Sequence, residues 1–282
     1  MKKIFILGPG RTASKLYKET LKKHEDVYIL HEIMYYFRFK SDVFSILKKH
    51  GIFNSRDKLE LAVNEIYHKP YLVNFRTEFP DKEQFLNILK NIEDFTWANI
   101  LNSLIEERTK SKNKKIAGAK NPVHFSYAPR VVREFKEDVK VLFLLRDPRA
   151  LYASEIPMKS RDYHLSQFPR VKNKNIQRIL IFIYVNIEFI WAIITYKRLK
   201  NKVLLCKYED LIGNPAGMME KVFNFCGLTF QKDYIKDAKI IGSSHIKQNE
   251  SGISSHGIKK WETILNRFEK FWFKMIIGIF NY

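Results

Sequence analysis

Between Gly8 and Lys15 the chain sets two glycines, two hydroxyl residues, an arginine and a lysine into one short segment, Gly8-Pro9-Gly10-Arg11-Thr12-Ala13-Ser14-Lys15. These residue types suit the binding of an oxyanion. Glycines let consecutive backbone amides turn toward one charge, and Arg11, Thr12, Ser14 and Lys15 add side-chain donors. The apolar run Lys3–Leu7 precedes the segment and a helical pattern from about Thr12 to Lys23 follows it. The positive end of that helix would add to the cradle. The nucleotide-binding pattern GxxxxGK[ST] is not met, because Ala13 and Ser14 stand where its second Gly and its Lys belong. An ordinary glycine-rich turn with solvated charges accounts for the same residues.

A second group follows the apolar run Val139–Leu145, which ends in Arg146-Asp147-Pro148-Arg149 with Ser154 eight positions after Arg146. Pro148 suits the first turn of a helix and Asp147 its cap. An arginine leaving a buried strand can hold a phosphate in a forked grip, or it can simply pair with Asp147. A third group is His31 and Glu32, after a strand at Val27–Leu30. Either residue type can act as a general base, a surface or cap residue is the plain alternative, and neighbours leaving a strand usually point to opposite sides. Lys120 stands in the turn Lys120-Asn121-Pro122 after the short strand Ile116–Ala119, where a solvated lysine and one that meets an anion are both open readings. His124 is a weaker candidate beyond the same turn.

The elements that must carry these residues alternate. Strands are expected at Lys3–Leu7, Val27–Leu30, Ile116–Ala119, Val139–Leu145 and Val203–Cys206, with helices between them. Residues 41 to 110 read mostly as helices, and further helices surround Trp191 and run from about Pro215 to Cys226. Such an order predicts an α/β fold with a central parallel sheet flanked by helices. Ligands in such folds sit beyond the carboxyl ends of the strands, where all three groups fall. No repeat, low-complexity tract or linker interrupts the pattern, so residues 1–282 are read as a single domain.

Bulk properties narrow the classes less. With 50 Lys and Arg against 30 Asp and Glu, the formal charge is +20, a field that attracts nucleotides, nucleic acid, acidic glycans and anionic lipid alike. Cys206 and Cys226 are the only cysteines and belong to no CxxC or Cys/His cluster, which argues against a zinc site or disulfide framework and for a reducing cytoplasm. The start, MKKIFILGPG, lacks a cleavage pattern and reads as a strand rather than a signal peptide. Ile179–Tyr196 is apolar but interrupted by Asn186 and Glu188, and reads as a buried helix with Trp191 in the core.

The two phosphate-type segments, each after a strand and in this order, resemble the family of sulfotransferases that use 3′-phosphoadenosine 5′-phosphosulfate (PAPS). Arg11-Thr12-Ala13-Ser14-Lys15 resembles that family's basic-Ser-Gly-Thr-Thr loop, with Ala for Gly and Lys for the last hydroxyl residue. Arg146-Asp147-Pro148-Arg149 with Ser154 matches the family's 3′-phosphate motif position for position. Lys120-Asn121-Pro122 resembles the Lys-x-Pro turn of carbohydrate sulfotransferases. Tyr208-Glu209-Asp210-Leu211 and the late Gly257-Ile258-Lys259-Lys260-Trp261 are similar to two further family segments. The resemblance spans Lys3 to about Leu265.

The resemblance implies a P-loop-like sulfotransferase fold and an enzyme that moves a sulfuryl group from PAPS to an acceptor hydroxyl or amine, releasing 3′-phosphoadenosine 5′-phosphate (PAP) without a metal. It puts Gly10, Arg11, Thr12, Ala13, Ser14 and Lys15 at the 5′-phosphosulfate and Arg146 and Ser154 at the 3′-phosphate. Tyr208, Gly257, Lys259 and Lys260 would complete the nucleotide site, with Trp261 behind that last loop. Glu32 becomes the first choice of base, with His31 as its rival and Lys120 assisting. Two departures bear on the loop: Ala13 tolerates positive φ less well than Gly, and Lys15 adds a charge.

The acceptor is expected to be a sugar or glycolipid, met by residues 33–110 and 155–175, where Tyr35, Tyr36, Phe37 and Arg38 could line a groove. The basic clusters Arg108–Lys115 and Arg170, Lys172 and Lys174 read as solvated faces or as contacts to an acidic glycan. Phe268–Tyr282 reads as a last packed helix, with peripheral contact to an anionic membrane as the second reading, in a cytoplasmic protein. Rival classes are a P-loop-like nucleotide kinase, which the loop's ending disfavours, and a nucleic-acid-binding protein, for which no motif accompanies the charge.

Overall fold

The computed structural model describes residues 1–33, 42–122, 125–159, 173–236 and 259–282. In chain order these form β1 (Lys3–Gly8), α1 (Ser14–Leu21), β2 (Val27–His31), then five helices: α2 (Val43–Lys49), α3 (Leu59–His68), α4 (Val73–Glu78), α5 (Lys82–Lys90) and α6 (Trp97–Lys110). Next come β3 (Ile116–Pro122), α7 (Ala128–Phe135), β4 (Val139–Leu145), α8 (Pro148–Lys159), α9 (Lys174–Leu199) and β5 (Val203–Lys207). The last helices are α10 (Tyr208–Gly213), α11 (Pro215–Cys226), α12 (Asp233–Lys236), α13 (Trp261–Ile264) and α14 (Arg267–Phe280). The five strands form one parallel sheet in the order β2-β3-β1-β4-β5, the α/β architecture that the alternating pattern predicts. β1 is buried throughout and β4 at all but one position, as near-continuous apolar strands in a parallel sheet should be.

Two departures from the local pattern come from pairing. β3 does not stop at Ala119 but runs to Pro122, because the β2–β3 register continues to His31 opposite Lys120. Lys120 is therefore a buried strand residue, not a turn lysine. Tyr208-Glu209-Asp210 opens a short helix rather than a turn.

The chain divides into two compact units. One comprises residues 1–7 and 21–141, with β2, β3 and α2–α7. Its helices take their starts from side-chain caps where the sequence offers them: Asp42 for α2, Asp81 for α5 and Thr96 for α6. In its core, buried Glu78 accepts the Tyr28 hydroxyl at 2.8 Å and the His31 backbone amide at 2.8 Å, with Arg108 Nε at 3.3 Å. This carboxylate ties β2 to α4 and α6. Burial and the nearby Glu78 charge push the Tyr28 pKa up to about 12.

The other unit comprises residues 8–20 and 142–282. Gly8 opens it where β1 meets β4, and a Cβ there would lie 2.4 Å from the Leu144 carbonyl oxygen, so no larger residue fits. Cys206 and Cys226 are free and buried in this unit. α9 corrects one expectation: Trp191 is 48% exposed, not core. The helix is apolar on more than one face, and only the face carrying Ile181, Val185, Phe189 and Ala192 is buried. By length and composition α9 is also the one helix among the described residues that could cross a membrane.

α14 is held by Glu269, which completes a capping box with Asn266 and accepts from Arg178 at 2.6 and 2.8 Å and from the Tyr152 hydroxyl at 2.7 Å. Burial alone would raise the Glu269 pKa, but these donors outweigh it and hold the carboxyl below its usual range. Removing the carboxylate should leave buried donors without an acceptor. Glu269→Ala is expected to cost about 3 kcal/mol in urea unfolding at pH 7. Because the folded pKa is depressed, the contribution is complete above the ordinary carboxylate pKa of about 4.3 and is lost as pH falls through the lowered value. The difference between parent and variant should therefore shrink on acidification.

Candidate nucleotide and base sites

The glycine-rich turn is built as an anion nest. Arg11 and Ala13 both take left-handed backbone, with φ of 64° and 63°, on either side of Thr12. Alternation of this kind turns successive amides to one side. Among the described residues no acceptor meets the amides of Gly10, Arg11, Thr12 or Ala13. Thr12 is buried and gives its hydroxyl to the Pro9 carbonyl at 2.8 Å, so its side chain shapes the loop. The Arg11 Nε is buried without a hydrogen-bond partner among the described residues. Ser14 begins α1 at the positive end of the helix, and Lys15 beside it is exposed.

Arg146 comes to this same turn. Its Nη1 donates to the Arg11 carbonyl at 2.9 Å, and its guanidinium lies 3.9 Å from the centre of the Tyr208 ring. The side chain is only 7% exposed. Burial lowers its pKa, and the Arg11 charge lowers it further, against the opposing influence of Tyr208 and Glu209. A buried arginine beside a second arginine is an electrostatic strain that an anion relieves. Tyr208 thus acts as the stacking platform of Arg146.

Asp147 pairs not with Arg146 but with Arg149, whose backbone amide it caps at 2.8 Å and whose Nη2 it meets at 2.5 Å. The Asp147 amide donates to Glu209 at 3.0 Å, and the Tyr282 hydroxyl donates to the other Glu209 oxygen at 2.8 Å. Three loops, after β1, β4 and β5, are thereby joined within one unit. The Arg149 guanidinium lies 4.1 Å from the centre of the Trp261 ring, and Trp261 packs on the cluster that includes Leu151 and Tyr152. Ser154 turns its hydroxyl into its own helix, to Leu151 O at 2.9 Å. Lys259 and Lys260 are exposed just before α13.

In the first unit, the β2–β3 register sets Glu32 beside Lys120. The Glu32 amide donates to the Lys120 carbonyl at 2.8 Å, and the Lys120 ammonium pairs with Glu32 Oε1. Asn74 donates to Glu32 Oε2 at 2.9 Å. Glu32 takes left-handed backbone, φ 49°, a conformation non-glycine residues hold only when their surroundings demand it. His31 is anchored through its backbone to Glu78 instead. A carboxylate oriented by a buried lysine and an amide is equipped to receive a proton from a hydroxyl.

Gly257, His124, Tyr35, Tyr36, Phe37, Arg38, Arg170 and Lys172 lie outside the described residues.

A model of the sulfotransferase family matches residues 3–232. The chain belongs to the sulfotransferase family. Among curated relatives, the omega-hydroxy-beta-dihydromenaquinone-9 sulfotransferase Stf3 of Mycobacterium tuberculosis is 24% identical over 170 residues, covering 56% of this chain and 41% of that protein. Carbohydrate sulfotransferase 1 of Danio rerio is 21% identical over 267 residues, covering 82% of this chain and 64% of that protein. The chain thus spans less than two thirds of the length of either relative. Two solved structures share its fold. The sulfotransferase domain of the Synechococcus PCC 7002 olefin synthase aligns with TM-score 0.58 at 17% identity, covering 98% of this chain and 94% of that one. Mouse sulfotransferase SULT7A1, solved with PAP, aligns with TM-score 0.53 at 12% identity, covering 98% and 83%.

The candidate site also includes residues that the sequence alone does not single out. Asn74 carries no local signal, being a helix residue far along the chain from Glu32. Tyr282 is equally silent. Glu209 lies within the Tyr208-Glu209-Asp210-Leu211 segment, and only its contacts to the Asp147 amide and Tyr282 set it apart there.

Ala13 offers a test of the turn. Left-handed backbone costs a non-glycine residue roughly 1–2 kcal/mol, and the extra unfolded-state freedom of glycine offsets roughly 0.5–1 kcal/mol of that. Ala13→Gly is therefore expected to raise stability by about 0.5–1 kcal/mol, read as an increased urea midpoint at unchanged slope.

Proposed function

We propose that the chain, as one domain over residues 1–282, transfers a sulfuryl group from PAPS to an acceptor hydroxyl or amine. The observation that carries this is the Arg146–Arg11 contact, which brings the 3′-phosphate motif onto the glycine-rich turn. Unmatched amides at Gly10–Ala13 and the buried Arg11 Nε fit an anionic donor. In this proposal the turn, with Arg11, Ser14 and Lys15, holds the phosphosulfate, and Arg146 and Ser154 hold the 3′-phosphate. Tyr208 and Glu209 position Arg146 and its loop, while Lys259 and Lys260 cover the nucleotide.

Sulfuryl transfer needs in-line positioning and stabilisation of charge on the leaving oxygen, by analogy with phosphoryl transfer. The acceptor oxygen or nitrogen forms a bond to sulfur, the sulfur bond to the 5′-phosphate oxygen breaks, and PAP leaves with that electron pair. We assign the acceptor's proton to Glu32, which Lys120 and Asn74 orient. His31 is the rival base. Electrostatics and orientation supply the rate.

A sugar or glycolipid is the acceptor we favour. Two matched relatives are supporting cases, one named for a carbohydrate and one for an omega-hydroxy-beta-dihydromenaquinone-9. Buried free cysteines suit a reducing, cytoplasmic setting.

PAP titrated into the protein in a calorimeter, with a chelator present, should bind tightly. Arg146→Ala should weaken it by about 2–4 kcal/mol, some 30- to 1000-fold. Equal affinity of parent and variant would remove the 3′-phosphate assignment, and binding of ATP only with Mg²⁺ would favour a kinase. Glu32→Gln keeps a partner for Asn74 and should retain PAP affinity. With radiolabelled PAPS and a fractionated cell extract as acceptor source, its turnover should fall by about 10²–10⁴-fold. Full turnover would move the base to another residue.

A further inference from the structure

Two adjacent helices of the second unit keep apolar faces outside the core. On α9, Ile176, Ile179, Ile183, Ile187, Trp191 and Ile194 are all exposed, at spacings of three and four residues. They form one stripe about 27 Å long at 1.5 Å per residue. On α14, Phe268, Phe271, Met275 and Ile279 repeat the pattern. The helices touch: the Phe182 ring lies 6.2 Å from Phe268 and 6.3 Å from Trp272, and the Trp272 indole donates to Asn186 Oδ1 at 3.0 Å. Only 44% of the most apolar stretch of α9 is buried. A helix apolar on both sides that buries one side has a second environment to meet.

The charges identify that environment. Glu188 and Glu269 are the only acidic residues in the two helices, and both are 5% exposed. Every exposed charge on them is basic: Lys174, Lys197, Arg198, Arg267 and Lys274. An isologous contact with a second copy would set these cations against one another. An anionic lipid surface neutralises them while accepting aromatic and aliphatic side chains at the boundary between headgroups and chains. A span is ruled out for α9 in this fold, because its inner face is committed to the core through Val185, Phe189 and Ala192.

We propose that the α9–α14 face lies on an anionic bilayer, with the two stripes at the headgroup–acyl boundary and the basic residues on lipid phosphates. This stands on observations separate from the sulfuryl-transfer proposal and can be tested without any donor. The full chain is to be floated with vesicles of phosphatidylglycerol and phosphatidylcholine, and with phosphatidylcholine alone. Binding to the anionic vesicles, at least tenfold weaker on phosphatidylcholine and falling as salt rises, is expected. Phe268→Ser with Phe271→Ser, and separately Ile183→Ser with Ile187→Ser, should each reduce binding tenfold or more with circular dichroism unchanged. Lys197→Glu with Lys274→Glu, which leaves every apolar contact in place, should do the same if a serine variant fails to fold. No binding by the parent, or equal binding by the folded variants, overturns the proposal. So does a lipid-free dimer that the serine variants convert to monomer, which would make a second copy the occupant.

Discussion

Two like charges share one turn in this protein, and much of the second unit is arranged to keep them there. The Arg146 guanidinium, nearly out of solvent, rests on the Arg11 carbonyl and on the face of Tyr208. Each support is neutral, so neither cancels the positive charge. Asp147, the nearest carboxylate in sequence, is engaged by Arg149. Glu209 is used on the Asp147 amide and on Tyr282. The arrangement holds cations in low dielectric, where an interaction with an oxyanion is stronger than in water.

Backbone geometry cooperates with that charge. Gly8 sits against the Leu144 carbonyl, and Arg11 and Ala13 both take left-handed backbone, the geometry from which anion nests are made. The glycine of the family loop is here an alanine held left-handed. The left-handed alanine is held at some cost in stability, a pattern common at functional turns.

Elsewhere, two buried carboxylates act as fasteners because several donors meet each of them. Glu78 joins β2 to two helices, and Glu269 joins α14 to α8 and α9. Glu32 is different in kind: it is partly open, and its two fixed partners orient it without enclosing it. That distinction separates a carboxylate suited to structure from one available for proton transfer.

Local pattern alone was enough for β4 and α11, whose limits agree with the residues expected, since an unbroken apolar run and a proline start with a following glycine are signals written within a few positions. It was also enough to single out the glycine-rich turn and the Arg146 segment as candidates, because their residue types lie close together in sequence. Tertiary structure alone decided the partners. The extension of β3 through Lys120 follows from pairing with β2, and the roles of Asn74, Glu209 and Tyr282 follow from contacts across long stretches of chain. Trp191 marks the limit most clearly: a helix apolar on every side has no periodic signal to say which face turns inward, and only packing makes that choice.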